Sequence, residues 1–213
     1  MADFQAELVK AAETELVRFG GRHETDDDVH DILKQYWTEG AEFEPKEAEK
    51  AIAKRTAWSA AFISFVVKKA LSASGSAASF PFSASHSVYV GAAIRNMLAK
   101  KPPAVFYGLP PDGDGAEKPV FGNIFGSTRV LHIDDFADAL DAARKQHTYF
   151  SHFDVVTSVA NGTLTCIGGN VSQSVTRKTV TLKDGFLPKR PFKFDDAGNV
   201  ISGPYICIIK FRE

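Results

Sequence analysis

The chain has 213 residues, 44% hydrophobic and 24% charged, with a formal net charge of −1 from 25 basic and 26 acidic side chains. This is globular composition, and its charge balance offers no footprint for nucleic acid or an anionic membrane surface. Two cysteines, Cys166 and Cys207, exclude a disulfide framework and a four-cysteine zinc site, and no run approaches the roughly 18 apolar residues of a membrane span.

Phe4, Leu8, Ala11, Ala12, Leu16 and Phe19 recur at helical spacing, which predicts an amphipathic helix over 3–19 stopped by Gly20-Gly21. Asp3, Glu7, Lys10, Glu13, Glu15 and Arg18 argue against a signal peptide in this stretch. The expectation is therefore a chain cytoplasmic as synthesised, with leaderless export the open alternative. A second helix is expected from Asp26–Asp28, with Val29, Ile32, Leu33, Tyr36 and Trp37 on one face, ending around Gly40. Residues 41–56 are charged, and Pro45 opens a short helix. Residues 56–70 are apolar nearly all round, the pattern of a helix inside the core. A small-residue loop over 72–79 precedes a helix over 89–100, closed by Lys101-Pro102-Pro103, and residues 108–119 read as a surface loop.

Strand patterns dominate from there. Val120–Gly126 and Thr128–Ile133 are candidates, followed by a short helix over 134–146. Phe153–Val159 and Thr163–Ile167 flank Ala160-Asn161-Gly162, the strongest hairpin signal in the chain. Ser174–Leu182 and Tyr205–Phe211 complete an antiparallel sheet. Helices first and strands after predict an α+β fold, read as one domain over 1–213. Each cysteine lies in an apolar strand, so two inert buried thiols are expected, unless neighbouring strands bring them together.

Ser59 opens the buried helix directly after Trp58, where unpaired backbone N–H groups and the helix dipole favour developing negative charge. His152 enters the first hairpin strand and Asn170 follows the second, so the hairpin can set imidazole and amide side by side with Ser59 presented across them. Nucleophile, base and a group orienting the base is the general triad plan. Each residue also has a simpler reading: Ser59 as a helix cap, His152 as a strand-edge histidine, Asn170 as a turn residue. Asp154, two residues along from His152, competes with Asn170 for the orienting role. His86 is either a cleft residue near Ser59 or a cap of the helix beginning near Ser87. A metal site of His86, His152 and Asp154 is the minor alternative, since no metal-ligand spacing accompanies them, and no cofactor is expected.

Trp58-Ser-Ala-Ala-Phe-Ile-Ser64 resembles the Trp-Cys-Ala-Ala-Phe-Val-Ser element that carries the nucleophile in NlpC- and CHAP-type cell-wall amidases and endopeptidases. Gly122-Asn-Ile-Phe125 resembles the Gly-Asp-Leu-Val strand of those families, Ser151–Val156 their histidine strand and Ile167–Val171 the strand of their third residue. The chain also resembles a bacterial family known only as a domain of unknown function, through Phe19-Gly20, Tyr36-Trp37, Trp-Ser-Ala-Ala-Phe, Phe80-Pro-Phe-Ser83, His86, Tyr89 and Gly-Gly-Asn-Val. The resemblance implies a papain-like fold with a helical part over 1–55 and a catalytic-type core over 56–213. It implies amide-bond hydrolysis by Ser59, His152 and Asn170, with Trp58 and Tyr89 contacting substrate. The implied substrate is a peptidoglycan peptide or another amide, with no nucleic-acid or membrane partner. Serine in place of cysteine leaves two expectations: a serine-adapted hydrolase, or an inactive module on the same plan binding a cell-wall fragment or a protein.

Overall fold

The computed structural model describes residues 3–99 and 106–212, so the expected helix stop at Lys101–Pro103 lies outside them. Helix α1 (Phe4–Phe19) begins where the Asp3 carboxylate accepts the Gln5 N–H and ends on Gly20 in the left-handed conformation. The second expected helix is broken into a 3-10 turn at Asp27–Val29, helix α2 (His30–Gln35) and a π-turn at Tyr36–Gly40. Helix α3 (Pro45–Ala53) starts at its proline as expected.

Helix α4 (Ser59–Ser74) is the buried one, with Phe62, Ile63, Phe65, Val66 and Val67 at most 1% exposed. Its apolar residues run round the whole cylinder because α1 and the π-turn pack on one side and the sheet on the other. Gly40 carries the closest approach: a Cβ there would lie 2.4 Å from the Ala61 carbonyl oxygen, so the π-turn backbone meets α4 directly. Truncating Phe62 to alanine in such surroundings costs about 3–5 kcal/mol of stability.

Helix α5 (His86–Ala99) begins three residues earlier than expected, at His86 itself. Strand β1 (Phe106–Leu109) overlaps the expected loop, and β2 (Ile124–Thr128) replaces the two strands expected over 120–133. Gly122 accounts for the second difference, because its φ of 75° ends the extended run, and Asn123 Oδ1 accepts the Val120 N–H at 3.0 Å to close the turn. Helix α6 (Phe136–Lys145) precedes β3 (Ser151–Ala160), β4 (Thr163–Val171) and β5 (Ser174–Thr181). A small hairpin of β6 (Lys193–Phe194) and β7 (Val200–Ser202), not expected from the sequence, comes before β8 (Tyr205–Phe211).

The fold is α+β, with a six-stranded antiparallel sheet in the order β1-β8-β2-β3-β4-β5. Phe153 and Val155 of β3 join the main core, whereas Val156 belongs to a second cluster with Phe125, Leu164, Cys166, Leu187 and Ile208. That alternation places His152, Asp154 and Val156 in one phase of the strand. Cys166 and Cys207 are buried and free, and β4 and β8 are separated by two strands, so nothing brings the thiols together. Among the described residues no helix is long and apolar enough to cross a membrane.

Candidate active site

Ser59 is the first residue of α4, and its position is fixed from behind by aromatic packing. Trp58 stacks on Phe19 at 5.4 Å and on Tyr36 at 5.6 Å between ring centroids, and its indole N–H donates to Glu24 at 2.7 Å. Ser64, farther along α4 and 0% exposed, donates to the Ser83 carbonyl and accepts the Ser83 N–H, both at 3.0 Å. This double bond to the backbone ties the Phe80–Ser83 segment to α4 and sets the start of α5. Helix α4, β3 and α5 thus meet at one point.

At that point Ser59 Oγ lies 2.9 Å from His152 Nδ1 and 2.9 Å from His86 Nε2. His152 Nε2 lies 3.0 Å from Asp154 Oδ1, and both Asp154 oxygens lie 2.9 Å from Lys178 Nζ of β5. On the far side, His86 Nδ1 is bonded to the Tyr89 hydroxyl. Ser59, His86, His152 and Asp154 are each between 5% and 7% exposed.

The carboxylate dictates the order of protons along this chain. An ionised Asp154 only accepts, so His152 Nε2 carries the ring proton and Nδ1 is left bare. The Ser59 hydroxyl donates to that bare nitrogen. Its oxygen then accepts from His86 Nε2–H, and His86 Nδ1 accepts from the Tyr89 hydroxyl. Compared with the Ser-His-Asp template, in which Nε2 faces serine, the imidazole is used end for end.

Burial would raise the Asp154 carboxyl, but His152 and Lys178 together hold it well below the usual carboxylate range. Burial lowers His152 below its ordinary 6.5, and the Asp154 carboxylate offsets part of that shift. His86 is lowered further, by burial and then by the neighbouring His152. Tyr89 is raised by burial and then by Asp154, which keeps it a donor. Both imidazoles are therefore neutral at pH 7, and one presents an unprotonated nitrogen to a hydroxyl.

Two glycines of β4 make room for the pair. A Cβ on Gly168 would sit 1.9 Å from Asp154 Oδ1 and 3.2 Å from His152 Nε2; one on Gly169 would sit 2.5 Å from Phe62. The strand is bare on both faces where it passes between the start of α4 and the imidazole–carboxylate pair. Lys178 stands opposite Cys166 in the β4–β5 register and reaches across this bare stretch to Asp154.

Three expectations change. Asn170 does not orient His152; Asp154 does, and among the described residues the Asn170 side chain makes no hydrogen bond. The β4–β5 register shifts between Gly168 and Val171, and Asn170 has a φ of 57°, so the bulge takes it out of the alternation that would have aimed it at the ring. Tyr89 is 0% exposed and Trp58 only 2%, so neither offers a free surface to substrate; Tyr89 holds His86 and Trp58 holds the start of α4. His86, a secondary candidate, is central and does not cap its helix, because both ring nitrogens are occupied by side chains. The ligand atoms of His86, His152 and Asp154 do not converge on one point; among the described residues a carboxylate trio at Asp134, Asp135 and Asp138 does, on an exposed loop and helix start.

A cavity of about 560 Å³ opens beside the site and is lined by His152, Asp154 and Asn170, while Ser59 is not among its walls. A second cavity of about 250 Å³ lies against Trp58, under Glu24, Asp26 and Asp27.

No curated protein and no solved structure matches this chain. A family model does, over residues 25–196, a span that includes every member of the hydrogen-bonded chain from Tyr89 to Lys178. The chain accordingly belongs to the DUF2272 family, described as uncharacterized protein conserved in bacteria.

Proposed function

We propose that this chain is an amide-bond hydrolase on a papain-like plan, resembling the NlpC and CHAP cell-wall amidases, with Ser59 as nucleophile. One observation carries this reading: Ser59 Oγ donates to a neutral imidazole whose far nitrogen is held by an ionised carboxylate. A serine hydroxyl, unlike a thiol, must lose its proton during attack, and it needs an aligned base of this kind.

In the proposed reaction Ser59 Oγ bonds to the substrate carbonyl carbon while His152 Nδ1 takes the hydroxyl proton. The oxyanion is received by the Ser59 and Ala60 N–H groups, which have no intrahelical acceptor at the start of α4, and by His86 Nε2–H. His152 then returns the proton to the amine as the C–N bond breaks. Water attacks the acyl-serine, giving one proton to His152 and its hydroxyl to the acyl group. Release of the acid restores the Ser59 hydroxyl. Peptidoglycan stem peptides are the proposed substrate, on the resemblance of Trp58–Ser64 to the nucleophile element of the cell-wall enzymes.

A second reading, a binding module on the same plan, is favoured by one observation: Ser59 is 7% exposed and does not line the adjoining cavity. A fluorophosphonate probe, which labels activated serines without knowledge of the substrate, separates the two. The hydrolase reading expects labelling of the full chain at Ser59, abolished in both Ser59→Ala and His152→Ala. Folded protein that stays unlabelled would falsify it and leave the binding module.

A further inference from the structure

The 560 Å³ cavity beside His152 has a charge composition that the proposed chemistry does not use. Arg129, Lys178 and Arg190 line it, against a single carboxylate, Asp154. Lys178 is committed to that carboxylate at 2.9 Å. Arg190 is held by neutral groups only: its Nε donates to the Gly203 carbonyl at 2.6 Å, and its guanidinium lies 4.1 Å over the Tyr205 ring. Among the described residues Arg129 makes no side-chain hydrogen bond or ion pair; burial disfavours its charge, the Asp154 carboxylate favours it, and Arg190 disfavours it. The one carboxylate at this cleft is already bonded to His152 and Lys178, so three cations against it leave an excess of positive charge, which is costly when the cleft is empty because like charges repel and the walls focus the field. A bound anion reverses the sign of that cost.

From this we infer that the cavity is a subsite for a carboxylate, so that the amide substrate carries a free carboxylate on the residue seated between Arg129 and Arg190. The identification of that ligand as substrate rests on the hydrolase reading; the carboxylate site itself does not. Guanidinium forks match the two oxygens of a carboxylate, and the rigid backing of Arg190 by Gly203 and Tyr205 pre-orients one of them. The cavity is in the size range of sites that enclose a small ligand, and it reaches the edge of the imidazole. No residue of α4 lines the cavity, so a carboxylate held there leaves the start of α4 free for the scissile carbonyl.

The probe for the test is glutarate, which has no cleavable bond, with glutaramide as its neutral counterpart. Titration of the full chain is followed by NMR chemical shifts and by thermal shift, alongside fluorophosphonate labelling. Glutarate is expected to bind and glutaramide to bind at least about tenfold more weakly, with glutarate affinity falling as salt is raised. Arg129→Gln is expected to remove that discrimination while leaving the protein folded, because Arg129 is exposed and among the described residues its side chain makes no hydrogen bond or ion pair. Arg129→Glu is expected to abolish glutarate binding. Equal binding of the two probes, or glutarate binding unaffected by either variant, overturns the subsite whether or not Ser59 is labelled. Arg129-dependent glutarate binding without labelling keeps the carboxylate site and removes the hydrolase.

Discussion

Ser59 stands between two histidines at the same 2.9 Å, and the two are built differently. His152 lies on the sheet and is backed by an ionised carboxylate and a lysine; His86 lies on a helix start and is backed by a neutral phenol. The backing decides the role. A carboxylate stabilises the imidazolium that forms when a base takes a proton, so His152 can cycle. A phenol can turn its oxygen to a protonated ring but brings no negative charge to stabilise it, so burial and the neighbouring His152 keep His86 neutral and it donates through Nε2. In the proposed reaction, equal distances thus conceal a base on one side and a fixed donor on the other.

The comparison breaks most severely at Asp154. Asp154→Asn leaves the shape but allows the ring to adopt the other tautomer, and the labelling rate at Ser59 is expected to fall about 10³–10⁴-fold. Asn170→Ala is the matched control, expected to stay within about threefold because among the described residues that side chain makes no hydrogen bond to the ring. His86→Gln keeps a donor of different reach and should cost about 10²-fold in labelling, in line with loss of one oxyanion donor. An effect as large as that of Asp154→Asn would make His86 a second base.

Acid should expose both histidines. Unfolded imidazoles take protons near 6.5, while His86 and His152 in the fold resist them until lower pH. The unfolded state therefore binds more protons below that point, and the thermal midpoint should decline as pH drops below about 6.5. Asp154 adds a later loss, since the stability from its depressed carboxyl is complete above 3.8 and disappears below it. Labelling should rise along a limb below 6.5 and level off above it, and His86→Gln should soften the stability decline without moving the labelling limb. Tyr89→Phe is the mildest change, expected to slow labelling a few-fold by freeing the His86 ring to rotate.

Much of this was legible in the amino-acid sequence, for identifiable reasons. A run apolar on every side, from Ala57 through Val67, has no stable place except inside, and α4 is there. Asn161-Gly162 takes the positive φ pair that a tight hairpin requires, so β3 and β4 pair as expected. Asp154 and Asn170 were both legible as candidates to orient His152, but the choice between them was not, because alternation is extrapolated along a straight strand and β4 bulges at Gly168–Val171. Lys178 lay hidden because it acts two strands away, across a position with no side chain. The break of the second helix into a π-turn has no local sequence signal; contact of Gly40 with Ala61 and Phe65 imposes it.

The bare stretch at Gly168-Gly169 also bears on how the site is assembled in time. Asp154 is two residues from His152 and Lys178 is 24 from Asp154, so pairing of β3, β4 and β5 closes the base, its carboxylate and its lysine through short loops. Ser59 is 93 residues from His152, and it arrives only when α4 docks over the glycines. Loop-closure entropy favours the meander first and the helix afterwards. A chain with weakened docking of α4 would then keep an intact imidazole–carboxylate pair in a formed sheet and lack only Ser59, the proposed nucleophile. Substitutions at Gly40 or Trp58, which take no part in the proposed chemistry but seat α4, are the ones expected to abolish labelling in that way.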